Sequence, residues 1–254
     1  MIDLSGKKAL IVGVANDKSI AWGVARALHA AGADLAITYL NEKAARYVRP
    51  LAEEAAAQII LPLNVENPDD EMTLFAAIED TWGRLDIVVH SIAFAPLEDL
   101  QGRVCDATAQ GFALAMDVSV HSFIRLARRA EPLMHDGGSL LAMSYLGAEK
   151  VVSTYNMMGP VKAALEAVVR ELASELGGKG ISVNALSPGP IATRAAGGID
   201  NFDELMAEAI MRAPMGRLVT IDEVGAVAAF LLSDAARPIT GSVLHVDCGR
   251  HIVA

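Results

Sequence analysis

The sequence contains little cysteine: Cys105 and Cys248 are the two cysteines among its 254 residues. They lie far apart and form no Cys-x-x-Cys pair, so we expect ordinary thiols in a reducing compartment and no disulfide framework. The histidines show no spacing typical of metal ligands. We therefore predict no metal site.

Basic charge is also scarce, with 21 Lys and Arg against 31 Asp and Glu, a net charge of −10 and a pI near 5.0. This balance argues against nucleic acid or an anionic membrane surface as a partner. No apolar run approaches the ~20 residues that a membrane-spanning helix needs. Lys7-Lys8 precede a short apolar run, but Asn16-Asp17-Lys18 end it without a cleavage-like segment, which favours a buried parallel strand over a signal peptide. The composition predicts a cytoplasmic protein that does not bind membranes.

Apolar residues make up 53% of the chain, and their pattern alternates between strands and helices. Strand-like runs occur at 8–14, 34–39, 58–63, 85–90, 138–143, 181–186 and 242–246, and helix-length segments at 20–31, 42–57, 70–82, 107–135, 154–176 and 220–232. Such alternation predicts an α/β fold, a Rossmann-like doubly wound parallel sheet with helices on both faces. We expect residues 1–254 to form a single domain. The interval 193–211 breaks the rhythm and is predicted to be a small substrate lid.

The first strand-to-helix turn suggests a phosphate-binding loop. Gly13 permits a tight turn, and Ser19 is placed to cap the next helix, whose free N–H groups suit a pyrophosphate. Gly23 is expected to let that helix approach the sheet. The segment is not a Gly-x-Gly-x-x-Gly motif, because five residues separate Gly13 from Ser19. A plain connecting loop therefore remains an alternative.

Tyr155 and Lys162 are seven residues apart, almost two turns at ~3.6 residues per turn, so on a continuous helix they share one face. A tyrosine can donate a proton or hydrogen bond to a developing oxyanion, and a nearby ammonium would lower its pKa. The lysine could also bind a ribose. An ordinary amphipathic helix would show the same spacing. Pro160 would either kink the helix or be accommodated at its start.

Several segments together resemble the bacterial enoyl-acyl-carrier-protein reductases of the short-chain dehydrogenase/reductase superfamily. They are GVANDKSIAWG at 13–23, HSIAFAP at 90–96, SYLG at 144–147, PGPIAT at 188–193 and HVD at 245–247, together with Tyr155 and Lys162. The resemblance runs the whole length of the chain. It is specific within the superfamily, whose ordinary members place the lysine four residues after the tyrosine.

The resemblance implies NADH as the cofactor. The residues it assigns to the cofactor, from the phosphates and the adenosine to the nicotinamide, are Gly13, Ser19, Ile20, Leu40, Asn64, Val65, Ser91, Ile92, Lys162, Ile191 and Thr193. Leu40 replaces a glutamine usual in the family and cannot hydrogen-bond the adenosine ribose. Asn64 replaces an aspartate but can still accept a hydrogen bond from adenine. Glu42 would repel the 2′-phosphate of NADPH, which favours NADH.

The resemblance also implies the reaction, reduction of a trans-2-enoyl thioester on acyl carrier protein or on CoA. Tyr145, Tyr155 and Lys162 are the predicted catalytic residues. Tyr155 would donate to the thioester carbonyl, and Ala95, Tyr145 and Tyr155 would line the substrate site. Whether Tyr155 also protonates C2 stays open. A homotetramer, built partly through the long helices and the C-terminal segment, is implied as well.

Two alternatives remain at this point. One is a divergent short-chain reductase acting on enoyl-CoA, a specialised carrier or another activated alkene or carbonyl. The other is a non-catalytic nucleotide sensor, which the joint presence of Tyr145, Tyr155 and Lys162 disfavours. The remaining polar residues suggest supporting roles: His90 as a structural donor, and Asp117 and Ser119 in active-site support and helix packing.

Two further features concern ligands of the family. Diphenyl-ether inhibitors such as triclosan stack near a glycine in the loop after the fourth strand, where this chain has Ala93. Many relatives carry basic residues on the lid helix, whereas 199–205 reads IDNFDEL here. We expect weakened triclosan inhibition, and unfavourable docking of an acidic carrier against these carboxylates.

Overall fold

The computed structural model describes residues 2–153, 155–193 and 202–253. In these residues seven parallel strands form one sheet in the order β3-β2-β1-β4-β5-β6-β7. The strands are β1 Lys8–Val12, β2 Asp34–Tyr39, β3 Ile59–Pro62, β4 Ile87–His90, β5 Gly138–Met143, β6 Ile181–Pro188 and β7 Val243–Val246. The predicted doubly wound α/β architecture is confirmed.

Helices connect the strands and cover both faces of the sheet. They are α1 Ile20–Ala30, α2 Glu42–Glu54, α3 Pro68–Trp82, α4 Leu97–Leu100, α5 Ala109–Met116, α6 Ser122–Ala130, α7 Met158–Leu176, α8 Phe202–Arg212 and α9 Ile221–Leu231. From Ala9 to Val12 the sequence of β1 is apolar and does not alternate between apolar and polar residues, because both faces of the strand are buried. Ala9 and Ile11 belong to the core on one face, Leu10 and Val12 to the core on the other, and all four are buried. Among the described residues, no helix is long and apolar enough to cross a membrane.

The helix expected over 107–135 is divided. Helix α5 begins at Ala109 because the Thr108 hydroxyl accepts a hydrogen bond from the Gly111 N–H at 2.9 Å. A π-helical turn at Asp117–His121 separates α5 from α6. Beyond α6 the chain tightens into a 3₁₀ turn, Glu131–Leu133, which contains Pro132.

The helix expected over 154–176 begins only at Met158, so Tyr155 is not on it. Asn156 adopts the left-handed region, with φ of 43°, which a right-handed helix cannot pass through. Pro160 falls in the first turn of α7, where its missing N–H would have no intrahelical partner. The argument that Tyr155 and Lys162 share the face of one helix is therefore wrong. Their proximity has to come from tertiary structure.

Gly23 serves a helix–helix contact, and its predicted contact with the sheet is wrong. A Cβ on Gly23 would lie 2.2 Å from the carbonyl oxygen of Ile221 at the start of α9. A Cβ on Gly225 in α9 would lie 2.3 Å from the carbonyl oxygen of Gly23. Since backbone cannot move aside cheaply, the two glycines let α1 and α9 pack at backbone contact.

The strand order places a crevice where β1 and β4 lie side by side. From β1 the chain moves outward to β2 and β3, then returns to β4 and continues the other way. Loops leaving β1 and β4 therefore diverge, and ligands of open α/β sheets bind at the carboxyl ends of strands at such a point. Within the predicted lid interval, α8 covers Phe202–Arg212, whereas 194–201 lie outside the described residues.

Candidate active site

A cavity of about 490 Å³ opens at this crevice. Eleven of the residues expected to hold the cofactor or the substrate line it: Gly13, Ser19, Ile20, Ser91, Ile92, Ala95, Tyr145, Tyr155, Lys162, Ile191 and Thr193. They come from segments that follow β1, β4, β5 and β6 and from α7. Leu40, Asn64 and Val65 do not line it, since they follow β2 and β3 further along the sheet edge.

Gly13 fits the turn after β1 for two reasons. Its φ of 114° disfavours other residues, and a Cβ there would lie 2.2 Å from the carbonyl oxygen of Ser91. Ser19 does not cap α1 with its side chain, which corrects the expectation. Its hydroxyl turns back into the loop, accepting from the N–H groups of Ala15 and Asn16 at 2.9 Å and donating to the Asn16 carbonyl at 2.8 Å. The serine orders the loop that leads into the helix N-terminus, a favourable position for a phosphate.

Tyr145 and Tyr155 lie together at one wall of the cavity. Their ring centroids are 4.7 Å apart with an interplanar angle of 58°, a tilted aromatic pair. Tyr155 packs directly on the backbone of Gly147, where a Cβ would lie 2.4 Å from its Cδ1. Gly147 thus makes room for the Tyr155 ring.

Burial decides the protonation state of both tyrosines. It raises the pKa of Tyr145 to about 12, with Arg250 opposing the shift and Glu208 adding to it. Burial, and then the neighbouring Tyr145, raise the pKa of Tyr155 well above its usual value. The expectation that a nearby ammonium lowers the pKa of Tyr155 is therefore wrong, because loss of solvation dominates. Both phenols keep their protons at neutral pH and can donate hydrogen bonds.

Lys162 is buried on α7, and its Nζ donates a hydrogen bond to the Met143 carbonyl at 2.6 Å. Burial lowers the pKa of Lys162 to about 8, and the carboxylate of Glu166 opposes that shift. The side chain is therefore mostly an ammonium at pH 7. Because Lys162 lines the cavity, its remaining N–H groups can serve a ligand hydroxyl.

Residues of the helical layer form hydrogen bonds that fix β4 and the loop that follows it. Ser119 accepts from the Phe94 N–H at 3.0 Å and donates to the Phe94 carbonyl at 3.2 Å. The hydroxyl of Ser122 donates to the Val118 carbonyl, so His90 Nε2, at 2.8 Å, acts as donor to Ser122. Burial lowers the pKa of His90 to about 3, which keeps it neutral. These contacts agree with the supporting roles expected for His90 and Ser119.

Asp117 lies away from the cavity lining and pairs with Arg125 at 2.7 Å. The same guanidinium donates to Glu71 at 2.9 Å and to the Val65 carbonyl at 2.5 Å. Arg125 thereby links the helical layer to the loop after β3. Asp117 contributes to helix packing and to this loop.

A family model described as enoyl-(acyl carrier protein) reductase matches residues 13–251. The chain belongs to this family. It is 47% identical over 256 residues to the enoyl-acyl-carrier-protein reductase (NADH) FabI of Nostoc sp., covering 100% of this chain and 99% of the relative. These values confirm the resemblance noted from the motifs.

Solved structures of enoyl reductases share the fold. An Anaplasma phagocytophilum enoyl-acyl-carrier-protein reductase in complex with NAD aligns with a TM-score of 0.95 and 46% identity, covering 99% of this chain and 96% of that one. The Bacillus cereus enoyl-acyl carrier protein reductase, with NADP⁺ and indole naphthyridinone, aligns with a TM-score of 0.97 and 46% identity over 100% of both chains.

The residues of this enoyl reductase fit a nicotinamide dinucleotide. The turn at Gly13 leads into a helix N-terminus, the cavity lies at the switch point of the sheet, and buried donors converge on it from Tyr155 and Lys162. Sequence reasoning missed Ser144 and Glu166, which are joined by a buried hydrogen bond. The four-residue spacing from Lys162 to Glu166 was the available signal, because such a pair lies on one helix face.

Proposed function

We propose that this chain catalyses the NADH-dependent reduction of trans-2-enoyl thioesters on acyl carrier protein. One observation carries the proposal: a cavity at the switch point of the sheet joins Tyr145, Tyr155 and Lys162 to the turn at Gly13. Membership of the enoyl reductase family supports it. The donors and the cofactor turn face the same space, as a hydride transfer to a bound substrate requires.

Bound NADH supplies a hydride to C3 of the enoyl thioester. The turn at Gly13, Ser19 and Ile20 would hold its phosphates, and Lys162 its nicotinamide ribose. Ser91 and Ile92 would lie beside that ribose and the nicotinamide, with Ile191 and Thr193 at the carboxamide.

Leu40, Asn64 and Val65 would flank the adenosine outside the cavity. Leu40 is exposed and offers no donor there. Glu42 stands in the first turn of α2, where its carboxylate would disfavour the 2′-phosphate of NADPH. The position of Val65 is set partly by the hydrogen bond from Arg125 to its carbonyl.

The tyrosines act on the charge that develops at the thioester oxygen. As the hydride adds to C3, negative charge develops on the thioester oxygen, and a prepositioned donor stabilises that charge more in the transition state than in the ground state. The resulting enolate then takes up a proton at C2 to give the saturated thioester. Tyr155 is buried and protonated, so it provides such a donor without a change of solvation. Tyr145 packs against it, and Ala95 lines the substrate space.

We also infer that residues 1–254 act as one reductase domain with 193–211 as its lid. The sheet supports this, because its strands run from Lys8 to Val246. A homotetramer is proposed too, and exposed apolar side chains on α5 (Phe112) and near the C-terminus (Ile252) support it. A cytoplasmic location agrees with the acidic, cysteine-poor composition.

The experiment measures NADH oxidation with crotonyl thioesters on acyl carrier protein and on CoA. Tyr155→Phe should depress turnover about 10²-fold or more while leaving NADH affinity nearly unchanged, because it removes one oxyanion donor. Lys162→Ala should impair NADH binding and turnover together. Tyr47→Phe and Lys179→Ala change exposed residues of the same types and serve as controls.

The proposal is supported if the protein reduces the carrier-bound substrate, if Tyr155→Phe and Lys162→Ala lose this activity, and if the two control variants keep it. Activity with CoA but not with the carrier would identify the divergent reductase instead. NADH binding without reduction of either thioester would overturn catalysis and favour a nucleotide sensor.

A further inference from the structure

The end of β5 is tied to α7 by two buried contacts in consecutive residues. The Met143 carbonyl accepts from Lys162 Nζ at 2.6 Å. The next residue, Ser144, donates its hydroxyl to Oε1 of Glu166 in a short hydrogen bond. Ser144 and Glu166 are both buried, and Tyr145 follows immediately. The segment that presents Tyr145 is therefore attached to the helix that presents Lys162.

Glu166 also lies about one helical turn from Lys162 on α7. The two residues are four apart on α7, a spacing that brings side chains together. A buried ammonium is costly unless an opposite charge compensates it. Glu166 is the group that favours the charged form of Lys162, and it opposes the effect of burial on the pKa of the lysine.

We propose that Glu166 is a positioning residue of the reductase, which holds Ser144, and through it Tyr145, while its carboxylate keeps Lys162 in the charged form. This inference rests on the proposed function, because it assigns Glu166 to act through Tyr145 and Lys162. Glu166 does not line the cavity, whereas Ser144 and Lys162 do. It would act on ligands only through these neighbours.

Several neighbouring groups influence the pKa of Glu166, and they have to be considered before a pH profile of the enzyme is interpreted. Burial raises the pKa of Glu166, and the hydrogen bond from Ser144 opposes this. Glu149 adds to the rise, while His245 on β7 and Arg170 on α7 lower the pKa. Around Lys162, burial lowers the pKa of His90 to about 3 and raises those of Tyr145 and Tyr155, whereas the pKa of Lys162 itself is about 8. An alkaline effect near pH 8 therefore belongs to Lys162.

The test compares three variants by kcat, KM for NADH and the pH profile of kcat/KM. Glu166→Gln keeps a hydrogen-bond acceptor for Ser144 but removes the charge. Ser144→Ala keeps the charge but removes the hydrogen bond. Glu171→Gln makes the same change as the first on an exposed position of α7 and is the matched control.

Glu166→Gln should move the alkaline limb of the profile to lower pH by roughly one unit, because an opposite charge nearby no longer favours the ammonium. Ser144→Ala should leave that limb in place and lower kcat roughly ten-fold, with little change in KM for NADH, because the anchor of Tyr145 is lost. A purely structural role for Glu166 would change Tm and kcat without moving the limb.

If the alkaline limb of Glu166→Gln coincides with that of Glu171→Gln, Glu166 does not keep Lys162 charged, and the electrostatic part of the proposal is wrong. If kcat is unchanged in Ser144→Ala, the hydrogen bond does not position Tyr145, and the positional part is wrong. Should Glu166→Gln not fold, Ser144→Ala still decides the positional part. Glu166→Met, which removes the charge with a side chain of similar length, then decides the electrostatic part by the position of its alkaline limb. Failure of the unsubstituted protein to reduce enoyl thioesters would refute the proposed function. An active protein with unaffected variants would refute this inference alone.

Discussion

Replacing Gly147 by alanine is expected to displace the Tyr155 ring. A Cβ at Gly147 would lie 2.4 Å from Cδ1 and 2.8 Å from Cε1 of Tyr155, whereas ordinary contacts begin at 3.4 Å. The ring must therefore retreat by about 1 Å. Tyr155 is buried, so the retreat compresses its neighbours, and overpacking of this kind costs about 1–3 kcal/mol of folding free energy. A catalytic group misplaced by about 1 Å loses on the order of 10²-fold in rate.

The assay is steady-state reduction of a crotonyl thioester, with NADH binding and Tm measured beside it. Gly147→Ala should lower kcat on the order of 10²-fold and leave NADH affinity close to normal, because Gly147 does not line the cavity and Lys162 keeps its contact with Met143. Gly177→Ala is the control, since a Cβ there would meet no atom within 4 Å. Unchanged turnover in Gly147→Ala would show that the position of the Tyr155 ring does not limit the reaction.

Three further predictions follow from the site and its surroundings. Lys162 keeps its proton below its pKa of about 8 and loses it above, so kcat/KM should fall on the alkaline side of about pH 8; a flat profile to pH 9.5 or so would contradict this. Ala93→Gly should strengthen triclosan inhibition roughly five- to hundred-fold in a dose–response assay, because Ala93 lines the cavity and its methyl group crowds a stacked ring. Exchanging the exposed Asp203 and Glu204 for lysine should lower KM for the carrier-bound substrate at low salt and leave KM for a small uncharged thioester unchanged. Equal KM values for the carrier-bound substrate before and after this exchange would mean that α8 does not contact the carrier. The third carboxylate of the predicted lid patch, Asp200, lies outside the described residues.

The fold could be predicted because its signals are local. The central strand β1 is apolar on both faces, and this continuous pattern differs from the alternation of a half-exposed strand. Turns and helix lengths between such strands then restrict the topology to right-handed crossovers. The motifs around Gly13 and Tyr145 identified the family and its cofactor for the same reason: each is a short segment whose residues act together.

The site itself depended on tertiary structure. Spacing alone placed Tyr155 on the helix of Lys162, but Asn156 leaves the helical region and α7 begins after it. Tyr155 packs on the backbone of Gly147, a contact between segments that no periodicity encodes. Its pKa likewise follows from burial, which is a property of the folded core.

Residue types and short-range order were thus determined by the sequence, including the strands, the cofactor turn and the identities of the donors. Tertiary structure decided which polar groups meet across the fold. The hydroxyl of Ser19 turns into its own loop, Gly23 contacts α9, and Glu166 accepts a hydrogen bond from Ser144. The physical reason is that a hydrogen bond or a close approach forms only when two atoms are placed to within a few tenths of an ångström. Positions are fixed to that accuracy only when the sheet and its helices pack together.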